Sequence, residues 1–246
     1  MYLNLDECLC CKNSEFDVVG ENQYNNKKLS LVFDYHVLKC KKCGHVQSDK
    51  MVDRKLLYDN YQDSTGTKKD NQKYFDWFSD FVIEYCDPRN VLDIGCNDGS
   101  QLDYFNEKGI KTFGVDPSSE LYKVNSQDHR IIQDYFKAGL YKNQKFDCII
   151  SKDLVDKLDN LEEFFDTCED LMTDKSYLFV HLSRSKIDCN VISEFRDIEL
   201  KDIAADSCLC MVDMLKHEYG TTYIFSKPDF KINAKIEMLL NIGRWK

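Results

Sequence analysis

The sequence lacks several features that would assign it to other protein classes. No apolar run is long enough to cross a bilayer, which excludes a helical membrane span within these residues. The first residues, Met-Tyr-Leu-Asn-Leu-Asp-Glu, lack the basic-then-apolar pattern of a secretory signal peptide. Internal repeats and low-complexity tracts are also absent. We therefore expect a cytoplasmic protein, and 246 residues suffice for one α/β core plus a small module.

Basic residues are scarce relative to acidic ones. The chain has 33 Lys and Arg against 43 Asp and Glu, a net charge of −10, and no basic block beyond Lys39, Lys41 and Lys42. Proteins that bind a phosphate backbone usually carry a basic footprint, so we expect no nucleic-acid partner. Cysteine, by contrast, is abundant. Twelve cysteines without a signal peptide indicate reduced thiols or a metal site rather than a disulfide scaffold.

Two C-x-x-C pairs near the N-terminus predict a metal site. Cys8 and Cys11 form the first pair, and Cys40 and Cys43 form the second, with 28 residues between the pairs. Four thiolates in tetrahedral array suit structural Zn²⁺ and leave no position for an activated water. Cys10 is predicted not to be a ligand, because Cys8 and Cys11 have the usual spacing. The alternative is that these cysteines are only small buried apolar residues.

The spacing of apolar residues divides the chain into three parts. Residues 1–50 are predicted to form the zinc module, with a polar loop over residues 21–28. Residues 51–87 form a predicted helical linker, and residues 88–246 a domain in which strands and helices alternate. Such alternation predicts an α/β fold with a doubly wound parallel sheet. The predicted strands cover residues 90–94, 111–115, 130–132, 146–150, 177–181 and 221–226. The predicted helices of this domain cover residues 100–108, 119–126, 160–172 and 206–218.

The most informative stretch is Val-Leu-Asp-Ile-Gly-Cys-Asn-Asp-Gly-Ser at residues 91–100, followed by Phe-Gly-Val-Asp-Pro at 113–117. A strand, a glycine turn and a second strand that ends in an acid are typical of a nucleoside site, and the second acid can hold the ribose hydroxyls. The glycine spacing differs from that of pyrophosphate binders. Asp93 and Asp98 add negative charge that suits a cationic sulfonium. We therefore predict an S-adenosylmethionine site, although an ordinary strand-to-helix turn is the alternative.

Ligands of such sheets bind at the carboxyl ends of the strands, which assigns roles to several residues. Asp93, Gly95, Asn97, Asp98 and Gly99 are expected around the methionyl part of the cofactor. Asp116 is expected at the ribose. Asp134 is expected to accept from the adenine amino group, with Tyr135 or Phe136 against the ring.

At this point the chain resembles a known family, the sugar C-methyltransferases that act on nucleotide-activated deoxysugars. The resemblance covers roughly residues 5–180 and is carried by several motifs. These motifs are the first C-x-x-C, Cys40-Lys-Lys-Cys43-Gly-His-Val-Gln, Leu57-Tyr-Asp-Asn-Tyr61 with Ser64-Thr65 behind it, Ile94-Gly-Cys-Asn-Asp-Gly99, Gly114-Val-Asp-Pro117 and Asp134-Tyr-Phe136. The resemblance implies a Rossmann-like class I methyltransferase domain behind a four-cysteine zinc module.

The chain also departs from that family. Its members carry a Tyr-His-Glu-His segment after the fifth strand that supplies acid–base groups, whereas residues 195–201 here contain no histidine. Asp63 replaces a second linker tyrosine, and the printed sequence ends at Lys246 before the family's further C-terminal domain. Zinc and cofactor binding therefore carry over, and carbon methylation does not.

These residues predict a methyltransferase that acts on a small molecule. Methylation of oxygen or nitrogen needs one positioned acceptor and one general base, so we expect either of these over carbon methylation, with a nucleotide sugar as the acceptor. His181, Tyr61 and Asp153 are the candidate catalytic residues. His181 ends an apolar strand and is expected to face the crevice, or else it is a satisfied histidine at the sheet edge. Tyr61 binds a sugar hydroxyl or belongs to a helix core. Two other functions stay open: a binding or scaffold protein with a degenerate methyltransferase fold, and an RNA methyltransferase.

Overall fold

Antiparallel strands begin the fold. The computed structural model describes residues 1–59, 69–118, 129–183 and 186–228. Its first five strands are β1 (Tyr2–Asn4), β2 (Phe16–Asn26), β3 (Leu31–Cys40), β4 (Val46–Ser48) and β5 (Lys50–Val52). β2 and β3 pair along their whole length through a turn at residues 27–30. The predicted polar loop over residues 21–28 is therefore wrong, because most side chains of β2 face solvent and a solvated strand shows no apolar pattern.

Two helices follow this module. They are α1 (Arg54–Asp59) and α2 (Lys69–Cys86). The aromatic side chains of α2 recur every three or four residues, which places one stripe against the central sheet. This stripe, with Tyr74, Phe75, Phe78, Phe81 and Val82, is buried.

Seven strands form the central sheet. In chain order they are β6 (Asn90–Ile94), β7 (Lys111–Val115), β8 (Arg130–Ile132), β9 (Phe146–Lys152), β10 (Met172–Leu182), β12 (Cys210–His217) and β13 (Gly220–Ser226), with the short β11 (Ser193–Glu194) outside this sheet. Their spatial order is β12-β13-β10-β9-β6-β7-β8. The five strands from β10 to β8 are parallel, and β13 is antiparallel to both of its neighbours.

Helices cover both faces of this sheet. α2 and α3 (Ser100–Glu107) pack on one face, and α4 (Leu161–Leu171) and α5 (Asp197–Asp206) pack on the other. Alternate residues of β6 enter the two cores, so that Val91 faces α2 while Leu92 and Ile94 face α4. The predicted doubly wound α/β fold is confirmed. α4 begins one residue after the predicted start at residue 160, because Asn160 is its cap and accepts from the Glu163 amide at 3.2 Å.

The predicted helix over residues 206–218 is wrong, because this segment forms β12. A β-bulge shifts the register between Met211 and Asp213. As a result, Met211 and Met214 contact one core while Val212 and Leu215 contact the other. These pairs are three residues apart and therefore imitate helical spacing. Gly220, at a φ of 144°, closes the β12–β13 turn instead of ending a helix.

The segment after β10 returns to the N-terminal module. β11 pairs with β4, which extends the sheet of β2, β3 and β4 to four strands. The amide of Val52 donates to the Cys189 carbonyl at 2.9 Å, and the amide of Ser48 donates to the Ile192 carbonyl at 2.8 Å. No described helix is long and apolar enough to span a membrane.

Candidate active site and metal centre

The loop between β6 and α3 bends sharply at the carboxyl end of the sheet. Gly95, Asn97 and Gly99 have φ values of 83°, 51° and 81°, in the left-handed region that glycine adopts without strain. The Asn97 amide donates to Asp116 at 3.0 Å, which ties the loop to the end of β7. The buried Asp98 accepts from the amide of Ser100, the first residue of α3, at 3.1 Å.

A cavity of about 340 Å³ opens beside this loop. Four residues of the predicted cofactor set line it, namely Asp93, Gly95, Asn97 and Asp116, and so does the candidate base Asp153. The wall of this cavity also includes Tyr58, Lys152 and Asn190. The volume is within the range of small-molecule sites, which is about 300–1,000 Å³.

Asp116 lies where the cavity meets a second, smaller one. Its carboxylate accepts from the Asn97 amide and, at 2.8 Å, from the Ser118 amide. Each carboxylate oxygen has two lone pairs, so both retain capacity for the two hydroxyls of a ribose. The carboxylate is thus held in place by the loop and open to the cavity.

The smaller cavity, about 90 Å³, has an apolar wall. Its lining includes Tyr135, Phe136, Leu154, Leu158 and Phe164. Aromatic and aliphatic side chains are suited to packing against a nucleobase. Gly95 and Asp116 line both cavities, so the two cavities adjoin at the loop.

Asp93 carries an unusual proton affinity. It is 4% exposed, and its burial, with the nearby charge of Asp116, raises the pKa of its carboxyl to about 7 against the opposing effect of Lys152. A cation placed in this cavity would lower that pKa again, because it would favour the ionised form. The charge of this wall therefore suits a positively charged ligand.

The comparisons with known proteins agree with this geometry. A family described as a methyltransferase domain matches residues 67–216, more than half of the chain. The chain belongs to this methyltransferase family. No curated protein matches the sequence.

Solved structures of methyltransferases share the fold of this domain. An S-adenosylmethionine-dependent methyltransferase from Clostridium acetobutylicum is 14% identical with a TM-score of 0.51, covering 63% of this chain and 92% of its own. DesVI from Streptomyces venezuelae is 14% identical with a TM-score of 0.53, covering 66% and 94%. The glycopeptide N-methyltransferase MtfA is 7% identical with a TM-score of 0.53, covering 63% and 90%. The fold is that of a class I S-adenosylmethionine-dependent methyltransferase.

Four described residues that the sequence assigns to the crevice do not line either cavity. The carboxylate of Asp134 pairs with Lys137 at 2.6 Å, and this hydrogen bond lowers the pKa of Asp134. Within the described chain, Asp134 lines neither cavity, and neither do Asp98 and Gly99. His181 does not face the crevice.

His181 is instead enclosed in the aromatic core. Its side chain is 0% exposed and packs against Tyr74 and Phe78, while its Nδ1 lies 2.8 Å from the Thr222 hydroxyl. Burial lowers the pKa of His181 to about 4. α2 covers the end of β10, and the sequence of β10 alone does not predict this contact.

The other two candidate bases are Asp153 and Tyr61. Asp153 lines the main cavity, and its carboxylate accepts from the amide of Ser183 at 2.6 Å and from its hydroxyl at 3.0 Å. Tyr61 lies outside the described residues, as do the predicted helix over residues 119–126 and most of the Leu57–Thr65 motif.

The two C-x-x-C pairs come together as one cluster. The sulfurs of Cys8 and Cys43 are 3.5 Å apart, those of Cys11 and Cys40 are 3.6 Å apart, and all four lie within 4.8 Å of one another. Zn–S bonds of about 2.3 Å in a tetrahedron would separate the sulfurs by about 3.8 Å. The donor set and its spacing fit a zinc ion. Cys10 is outside this cluster and lies with His45 and Glu199.

Side chains after β10 link the cysteine cluster to the methyltransferase domain. Buried His45 contacts Glu199 at 3.1 Å and the Ser193 hydroxyl at 3.1 Å. Arg196 donates to Glu199 and, at 2.5 Å, to the carbonyl of Cys43. Residues 195–201, where the resembling family has histidines, thus contact the N-terminal module here.

A second link reaches the main cavity and was missed by the sequence reasoning. Asn26 Nδ2 donates to the Tyr24 hydroxyl at 3.2 Å, and Tyr24 in turn donates to Asn190 Oδ1 at 3.2 Å. This chain of bonds fixes the Asn190 amide, whose residue lines the cavity. Tyr24 and Asn190 are 166 residues apart, so no local sequence pattern could pair them.

Proposed function

We propose that this protein transfers the methyl group of S-adenosylmethionine to oxygen or nitrogen of a small-molecule acceptor, of which a nucleotide sugar is the leading candidate. The single observation that carries the proposal is the position of Asp116. Its carboxylate is fixed by two loop amides and lines both the smaller, apolar cavity and the larger, acidic one. This arrangement suits a ligand with a nucleobase at one end and a cation at the other.

The roles of the lining residues follow from their positions. Tyr135 and Phe136 are proposed to pack against adenine, Asp116 to hold the ribose, and Asp93, Gly95 and Asn97 to surround the methionyl part. Asp98 and Gly99 act indirectly, since they shape the loop. When bound, S-adenosylmethionine supplies a methyl group on a sulfonium. The attacking oxygen or nitrogen forms the new bond as the sulfur–methyl bond breaks, and the acceptor's proton passes to a base.

Asp153 is the proposed base among the described residues, because it is the predicted candidate that lines the main cavity. Tyr61 is kept as a second candidate. Positioning of the acceptor supplies much of the acceleration in such a displacement, since reactants held in line lose no further freedom. General base catalysis adds about 10²–10⁴-fold.

The N-terminal part is proposed to be a structural zinc module. Four cysteine ligands would fill the coordination sphere and exclude an activated water. We also propose the division into a zinc module (1–50), a helical linker (51–87) and a methyltransferase domain (88–246), with residues 187–199 of the last contacting the first.

Turnover tests the proposal directly. Purified full-length protein is incubated with S-adenosylmethionine and a panel of nucleotide sugars, and S-adenosylhomocysteine and the methylated product are measured by mass spectrometry. We expect both products with at least one acceptor. Their yield should fall at least about tenfold in Asp116→Ala but not in Asp134→Ala. The absence of both products with every acceptor would overturn methyl transfer to this substrate class.

One observation favours a second candidate function, a binding or scaffold protein with a degenerate methyltransferase fold. No histidine lines either cavity within the described chain, since His181 is enclosed in the core. Binding of S-adenosylhomocysteine without turnover of any acceptor is the result that this candidate predicts.

A further inference from the structure

Lys152 is a cation on the wall of the main cavity without an acidic partner. It ends β9, and its Nζ lies 4.1 Å from the centroid of the Tyr74 ring and 5.3 Å from that of Phe75. Among the described residues, no carboxylate lies within 4.0 Å of this nitrogen, and no hydrogen bond engages it. Aromatic faces attract an ammonium group but do not neutralise it.

The acids of the same cavity act on Lys152 without forming a direct ion pair with it. The carboxylate of Asp153 instead accepts hydrogen bonds from Ser183. The carboxyl of Asp93 is buried, and its raised pKa of about 7 leaves it only partly ionised at neutral pH. Burial lowers the pKa of Lys152 itself, in spite of Asp153 and Asp93. A half-buried ammonium is costly unless an anion accompanies it.

Lys157 provides a contrast within the same cavity. It also lines the wall, but it pairs with Asp156 at 3.3 Å and donates to the carbonyl of Asp153. Two lysines five residues apart therefore differ in whether the described chain supplies a direct anionic partner. For Lys152 the described chain supplies none.

The position of Lys152 in the sheet separates it from the nucleoside. The strand order is β9-β6-β7, with Asp116 following β7 and Lys152 ending β9. The loop that begins at Gly95 leaves from β6, between them. A ribose held by Asp116 therefore occupies one side of the loop, and Lys152 lines the other side. Asn190, whose carbonyl oxygen accepts from Tyr24, lines the cavity as well.

We propose that the methyl acceptor carries an anionic oxygen group, a carboxylate or a phosphate, and that Lys152 binds this group. This inference rests on the proposed methyl transfer and narrows its substrate class. Lys152 would hold the acceptor through a charge-assisted hydrogen bond, and the Asn190 amide is a second group suited to its oxygens. The reaction itself is unchanged, and Lys152 gains or loses no proton in it.

The test follows the side chain of Lys152 by NMR in full-length protein containing ¹³C-labelled lysine. The Cε resonance is assigned by its absence in Lys152→Arg, and S-adenosylhomocysteine is added first. Sodium acetate and inorganic phosphate are then titrated at constant ionic strength, with uncharged acetamide as the matched control. We expect a saturable shift of Lys152 with acetate or phosphate, none with acetamide, and none for Lys157.

Each other outcome has a defined meaning. A response to acetate alone assigns a carboxylate, and a response to phosphate alone assigns a phosphate. A Lys152 resonance that shifts with neither anion would overturn the inference. The inference would also be overturned if the resonance shifted fully on addition of S-adenosylhomocysteine and did not shift further with either anion. In that case Lys152 would hold the carboxylate of the cofactor. Failure of S-adenosylhomocysteine to bind at all would count against the proposed function as well, which calorimetry detects separately.

Any acceptor found by turnover extends the test. Lys152→Met should raise its KM at least about tenfold, and Lys152→Arg should recover most of that loss, since a guanidinium also binds oxyanions. An acceptor without an anionic group whose KM is unaffected by Lys152→Met would contradict the inference.

Discussion

The hydroxyl of Tyr24 in the N-terminal sheet donates to Asn190 on the wall of the main cavity, at 3.2 Å. The carbonyl of Ile187, in the same segment as Asn190, accepts a hydrogen bond from Tyr35 of that sheet at 3.4 Å. The N-terminal sheet therefore holds one wall of the candidate active site.

Removal of the Tyr24 hydroxyl should loosen that wall. In Tyr24→Phe we expect faster hydrogen–deuterium exchange over residues 187–192 and a loss of about 1 kcal/mol in the free energy of unfolding, the usual net value of one hydrogen bond. Tyr2→Phe is the control, because Tyr2 is more exposed and lies on β1. Equal exchange in the two variants would show that Tyr24 does not hold the segment.

The raised pKa of Asp93 predicts how affinity depends on pH. With a folded pKa of about 7, Asp93 is mostly protonated at pH 6 and mostly ionised at pH 8. The affinity for cationic S-adenosylmethionine should therefore rise over this interval, by at most about tenfold per pH unit. Calorimetry on Asp93→Asn should give a flatter profile, and this comparison cancels the titration of the ligand itself. If the affinity of the natural protein and that of Asp93→Asn changed with pH in the same way, Asp93 would not contribute to binding of the cation.

Metal content tests the cysteine cluster. Elemental analysis of purified protein should find about one zinc ion per chain, as four thiolate ligands imply. Cys43→Ser should lose it, and Cys10→Ser should retain it because Cys10 lies outside the cluster. Retention in Cys43→Ser, or loss in Cys10→Ser, would mean that the ligand set is different. Thermal unfolding should shift downwards with the metal's loss.

The buried His181 predicts acid sensitivity. Its folded pKa of about 4 is below the ordinary value of 6.5, so the unfolded chain binds a proton between these values that the folded chain does not. Stability is thus lost as pH falls from about 6.5 to about 4, by up to about 3 kcal/mol.

The matched variant is His181→Leu with Thr222→Val, which removes both hydrogen-bonding partners together. Chemical denaturation at pH 7 and pH 4 should show a smaller loss of stability in this double variant than in the natural protein. An equal loss would assign the acid sensitivity to other groups.

The sequence predicts the central sheet because its strands are short, mainly apolar runs, two of which end directly before Gly95 and Asp116. All six predicted strands exist, and α3 and α4 are close to the helices predicted over residues 100–108 and 160–172. β12 was mistaken for a helix because its bulge gives Met211 and Met214 helical spacing. The sequences of β11 and α5 have no clear apolar period. β11 pairs with the distant strand β4, and α5 begins at a hydrogen bond between Arg196 and Glu199.

The site shows a similar division. Residues of the loop that starts at Gly95 and the acid at 116 are predictable because backbone geometry after a strand places them. Asp134 and His181 are not, because competing partners determine their positions: Lys137 for the first, and Tyr74 with Thr222 for the second. Lys152 and Asn190 gain their significance only from the cavity they share, which two distant segments of the chain create.

Calorimetric titration of S-adenosylhomocysteine tests the central claim most directly, because it needs no knowledge of the acceptor. We expect saturable binding to the natural protein, at least about tenfold weaker binding to Asp116→Ala, and unchanged binding to Asp134→Ala. No measurable binding to the natural protein, or equal affinity in all three, would contradict the cofactor site described above.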